Sequence, residues 1–194
     1  ALKAQQEALV AERKDHLEGL FRKYPNSFFT AFKKAGQNPE VKDIRKPDGS
    51  VDTEAQLAQY RVDFWNNVNF NDPRLLRTPV IVNKLKRCIK ELTVQNPDSV
   101  FQTAKGLIDQ VEDQPEYFQF FTNWIAIEYE PQKVTMMDRE AIFVNMVQNY
   151  FTRDKAFWAD SMQIYALQQR ASEMAASLVG KKGPDVTAPD PNGA

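Results

Sequence analysis

Cys88, His16 and a handful of carboxylates are the side chains through which this chain could do chemistry. Lys84, Arg87 and Lys90 surround Cys88 in sequence and would favour a reactive thiolate. The same cysteine lies on an apolar stripe with Ile81, Leu85, Ile89 and Leu92, where it acts as a small core residue. It is the only cysteine, so an intramolecular disulfide is impossible and a catalytic dithiol is excluded. His16 is the only histidine, and any Ser-His-Asp or Cys-His device would have to use it. Its neighbours Arg13, Lys14, Asp15 and Glu18 give it a solvated setting. Asp109, Glu112, Asp113 and Glu116 offer oxygen ligands for calcium without the alternating spacing of a calcium loop, so they read as a solvated helix-end cluster. Glu128 and Glu130 stand two apart, a spacing that points helical side chains in different directions. No glycine-rich phosphate loop, Cys-x-x-Cys or His-Glu-x-x-His is present. The expectation is no catalytic, cofactor or metal site in this segment.

The strongest charge asymmetry lies between Asp72 and Glu91, where Arg74, Arg77, Lys84, Lys86, Arg87 and Lys90 occur with no acid between them. Lys84 and Arg87 share one helical face, and Lys86 and Lys90 another. That split reads first as a solvated helix rather than one anion cradle; the alternative is a candidate partner surface of Arg74, Arg77, Lys84 and Arg87, suited to an anion or an acidic protein. A second candidate is the aromatic stripe Tyr117, Phe118, Phe121 and Trp124, which is core if covered and a peptide groove if open. Over the 194 residues, 25 basic side chains oppose 26 acidic ones, a balance that argues against nucleic acid as partner. No apolar run reaches the length of a membrane span.

Helices must position all of these groups. Residues 2 to 23 carry Val10, Leu17, Leu20 and Phe21 on one face; Asn26 or Ser27 can cap a short helix with Phe28, Phe29 and Phe32 that closes near Gly36. Residues 37 to 52 form a loop with a weak strand possibility at 41 to 44, and Thr53 with Gln56 makes a plausible capping box. Asp72-Pro73, Thr78-Pro79 and Asn96-Pro97 each set a capping side chain before a first-turn proline. Pro115 opens a helix with the aromatic stripe, Asp138 caps one through Ile142, Met146 and Tyr150, and a last long helix spans about Asp154 to Val179. The fold expectation is all-α, with antiparallel helical hairpins packed side by side, similar to tetratricopeptide repeats in general shape but not in sequence, and an extended C-terminal tail. Residues 1–179 are expected to form the helical domain and 180–194 a linker that leads into the start of a further domain.

The run Phe70-Asn71-Asp72-Pro73-Arg74-Leu75-Leu76-Arg77-Thr78-Pro79, preceded by Phe64-Trp65, resembles the signature of an uncharacterised helical domain. That domain precedes thioredoxin-like or peroxiredoxin-like modules in bacterial cell-envelope thiol:disulfide interchange proteins. Asn96-Pro97-Asp98-Ser99 and the stretch from Asn149-Tyr150-Phe151 to Phe157-Trp158 extend the likeness. The tail, Gly180 to Ala194, is similar to the lead-in of thioredoxin-like domains, with Gly-Pro-Asp and Ala-Pro-Asp segments and a final Asn-Gly pair. The resemblance implies a non-catalytic N-terminal helical domain that positions, dimerises or supplies substrate to a fused thioredoxin-like oxidoreductase module. It also implies the periplasm or cell envelope of a Gram-negative bacterium, with a possible homodimer or envelope protein as partner. The alternative is a self-sufficient helical scaffold that binds a peptide or envelope protein.

Overall fold

A computed structural model describes residues 2–182; the remainder of the predicted tail lies outside the described residues. Among the described residues the chain is all-α, with eight α-helices and no strand. The helical region comprises two compact units that divide between Cys88 and Ile89.

The first unit contains α1 (Leu2–Lys23), α2 (Phe28–Ala35), α3 (Thr53–Asp63), a 3₁₀ turn (Pro73–Arg77) and α4 (Pro79–Lys86). Ser27 caps α2, its side chain accepting from the Thr30 amide. Asp72 and Thr78 cap the 3₁₀ turn and α4 in the predicted way, each followed by a proline whose missing N–H would have had no helical partner. Phe64, Leu75, Ile81 and Leu85 fill the core beneath these starts, and Phe64 meets Trp65 edge to face at 5.7 Å. The apolar face expected of α1 is different: Phe21 is its buried residue, while Val10 is exposed. Phe28 and Phe29 also face outward, leaving Thr30 and Ala35 as the buried residues of α2.

α3 begins one residue earlier than the Thr53 capping box requires. Asp52 is the cap, accepting from the Ala55 amide at 3.0 Å, and Gln56 reaches instead to the Lys42 carbonyl at 2.8 Å. Aspartate with its backbone in the non-helical conformation satisfies an orphan amide directly, so the threonine is absorbed into the first turn. The possible strand at 41 to 44 reduces to one isolated bridge between Arg45 and Val51.

After α4 the chain makes a single π turn, Arg87–Glu91. The second unit holds α5 (Pro97–Gln110), α6 (Pro115–Glu128), α7 (Glu140–Tyr150) and α8 (Ser161–Ala175). α5 packs on α6, α7 packs against both, and α8 packs on α7, which is the expected side-by-side stacking of hairpins. Tyr117, Phe118, Phe121, Ile125, Ile142 and Met146 are among its buried side chains. Gln168 of α8 donates to the carbonyls of Val147 and Phe151, both at 2.9 Å, and so satisfies groups at the carboxyl end of α7.

Two helix starts differ from expectation. Asp138 does not cap α7; it sits at φ 54° as part of the preceding turn, its side chain accepting from the Val179 amide, and α7 begins at Glu140 without a side-chain cap. The last helix is 15 residues long and starts at Ser161, where Asp160 and Gln163 form a reciprocal capping box. Residues 151–160 turn instead of continuing a helix, because Trp158 is drawn into contact with Phe118 and Phe151 at 5.8 and 6.1 Å.

Candidate functional site

The C-terminal half of α4 brings two of the sequence-predicted partner residues into one groove. Lys84 and Arg87 line it with Gly36, Asn38, Phe64, Val80 and Asn83, enclosing about 210 Å³. Lys84 is only 6% exposed, although it is a lysine on a helix rich in basic residues. Its position follows from spacing: it lies three residues after Ile81 and four before Cys88, and all three turn inward.

The Lys84 ammonium stands 4.1 Å from the centre of the Phe64 ring and donates to the Gln37 carbonyl at 3.2 Å. The carbonyl lies just past the carboxyl end of α2, where cations are favoured. Among the described residues no carboxylate pairs with this ammonium. Burial, and then the nearby Arg87 charge, push its pKa down to about 8. Arg87 is fixed beside it by donating to Asn38 Oδ1 at 3.0 Å, with its guanidinium 5.8 Å from the Phe64 ring.

The other two partner candidates serve different ends. Arg74 makes a bidentate pair with buried Asp72, Nε to Oδ1 and Nη2 to Oδ2, both at 2.7 Å, and lies over the Phe28 ring. The Arg74 guanidinium holds the Asp72 carboxyl below its usual range, against the opposing effect of burial. Arg77 is exposed on the same 3₁₀ turn.

A second cleft, of about 290 Å³, lies within the second unit between Lys90, Gln95, Glu128, Tyr129 and Lys133. Its polar groups find partners close by. Lys90 pairs with Glu128, Lys133 donates to the Ile127 carbonyl, and the buried Tyr129 hydroxyl donates to Gln95 Oε1 at 3.0 Å. Gln95 in turn donates to the carbonyls of Ile89 and Thr93. Burial pushes the Tyr129 phenol up to about 12, with the Glu128 charge adding to it and the Gln95 contact opposing. This constellation is not visible in the sequence because its members come from separate segments, and only Lys90 and Glu128 stand out there, for other reasons.

The remaining candidates are dispersed. Cys88 is buried, and desolvation raises its thiol pKa in spite of the Trp65 hydrogen bond and the cations Arg61 and Lys84. His16 is exposed on α1. Asp109 accepts from Tyr150 Oη at 2.8 Å and pairs with Lys105, while Glu112 pairs with Lys155. Glu130 pairs with Arg170, a different cation from the one Glu128 takes. Among the described residues no group of three or more His, Cys, Asp and Glu side chains could hold a metal ion.

Tyr117, Phe118 and Phe121 are 1%, 3% and 0% exposed and Trp124 is half-buried, so the aromatic stripe is core. Among the described residues no helix is long and apolar enough to cross a membrane. Comparison with known proteins finds no family model, no curated sequence and no solved structure that matches the chain.

Proposed function

We propose that this chain is a non-catalytic helical domain that positions, dimerises or supplies substrate to a fused thioredoxin-like thiol-disulfide oxidoreductase module in the Gram-negative cell envelope. The observation that carries the reading is the fate of the residues on which the resemblance rests. Asp72 is spent on a cap and a bidentate pair with Arg74, Thr78 caps α4, and Trp65 packs against Phe64 and Phe70 with ring centres 5.7 and 5.8 Å apart. Such a signature preserves architecture and does not present a nucleophile, which is what an accessory domain requires. The thiol supports the same reading, because burial with a raised pKa suppresses the thiolate that exchange chemistry needs.

The test is made on the natural gene product. It should contain a thioredoxin-like domain after Ala194, and removing residues 1–179 should leave turnover of a small disulfide intact while lowering turnover of a protein disulfide or dissociating a dimer. A reading frame without that domain would sink the proposal, as would thiol-disulfide exchange by the 194-residue chain that disappears in Cys88→Ser.

A self-sufficient partner-binding scaffold is the second reading. The outward-facing Tyr24, Phe28 and Phe29 favour it. Burial of Phe118 and Phe121 removes the aromatic floor that a groove on α6 would need.

A further inference from the structure

We infer that the groove beside α4 is a recognition site for a carboxylate carried on a short apolar stem, with Lys84 as its charged floor. A cation taken out of water is ordinarily paired, because its lost hydration must be replaced. Lys84 receives one carbonyl oxygen and the face of Phe64, while a lysine ammonium has three donors to place. Both of these partners are neutral, so the buried positive charge persists within the groove.

The lining selects the anion. Lys84 and Arg87 provide two cations on one side, and Asn83 and Asn38 add amide donors at the rim. Arg87 uses Asn38 Oδ1, which leaves the Asn38 NH₂ as a donor. Phe64 and Val80 form an apolar wall in the same space. A fully hydrated dianion such as phosphate finds no use for that wall. A carboxylate on a few methylenes satisfies the ammonium with one end and covers Val80 and Phe64 with the other. A small carboxylic acid and an acidic peptide side chain share this chemistry.

The site is independent of any fused catalytic domain, so it can be tested on the 194-residue chain itself. Butyrate is titrated into ¹⁵N-labelled protein, with butyramide and inorganic phosphate in parallel. Butyrate should shift the amide signals of Gly36, Val80 and Asn83 saturably, and its methyl protons should show nuclear Overhauser contacts to Val80 and Phe64. Lys84→Met should weaken butyrate at least tenfold, whereas Glu54→Gln on α3, outside the groove, should leave it unchanged. Glutarate monoamide and a short glutamate-containing peptide then separate the free acid from the peptide source. Absence of saturable shifts, equal binding of butyramide, equal or tighter binding of phosphate, or undiminished binding by Lys84→Met would each overturn the assignment. The nuclear Overhauser contacts locate the ligand without any substitution and keep the test decisive if the variant folds poorly.

Discussion

Replacing Lys84 by Met should stabilise the ligand-free protein at neutral pH, and the effect should fade as the solution becomes alkaline. The fall of the Lys84 pKa from 10.5 to about 8 is dominated by burial. At about 1.4 kcal/mol per pH unit of displacement, keeping this ammonium charged in the folded state costs on the order of 3 kcal/mol. Methionine removes that penalty but leaves the Gln37 carbonyl without its donor, a loss of about 1 kcal/mol, and forfeits an aromatic contact worth about another 1. The net expectation is a gain of about 1 to 2 kcal/mol at pH 7. Between about 8 and 10.5 the unfolded lysine still holds a proton that the folded one has released, so wild-type stability rises through this window. The variant has no such group and should lose its advantage there. Urea unfolding followed by circular dichroism at pH 7 and at several values up to 10.5 measures both curves. A variant less stable than wild type by more than about 1 kcal/mol at pH 7, with no convergence at high pH, would show that the ammonium is net stabilising and refute the reasoning.

Asp72→Asn should destabilise the protein by about 1 kcal/mol at pH 6 by removing a charge-assisted bidentate pair while keeping a capping oxygen. Because the folded Asp72 pKa is depressed, the wild-type advantage is present above the ordinary value of 3.8 and lost as pH falls through the folded value, so acid titrations of the two proteins should converge. Cys88 should react with a chromogenic disulfide about a hundredfold or more slowly in native protein than in denaturant, since burial and a raised pKa both oppose attack; equal rates would place the thiol at the surface. Phe121→Ala should cost about 3 to 5 kcal/mol in chemical denaturation, as expected for a ring that is 0% exposed, and a loss below 1 would contradict its place in the core.

The helix starts were legible where one local rule acts alone. Asp72, Thr78 and Asn96 each precede a proline and each caps as expected, because the side chain and the imino acid favour the same backbone path. The reading failed where tertiary contacts compete with helical spacing. Phe157 and Trp158 extend an apolar pattern that looks helical, yet Trp158 packs half-buried on Phe118 and Phe151 and the chain restarts at the Asp160 box, whose Asp-x-x-Gln spelling was available in the sequence. Lys84 likewise carried a signal, since its register matches Ile81 and Cys88, but charge alone suggested solvent. The triangle of Gln95, Tyr129 and Lys90 had no such signal, because residues 34 and 39 positions apart meet only after the second unit folds.

The exposure of α1 sets its response to heat. With Phe21 as the residue it buries, its preceding turns depend on backbone hydrogen bonding and neighbouring side chains along the helix rather than on interior packing. Such a segment obeys a helix–coil equilibrium of its own. Warming therefore frays residues 2–16 gradually, producing a sloping loss of ellipticity ahead of the cooperative loss of the helices that bury an apolar face.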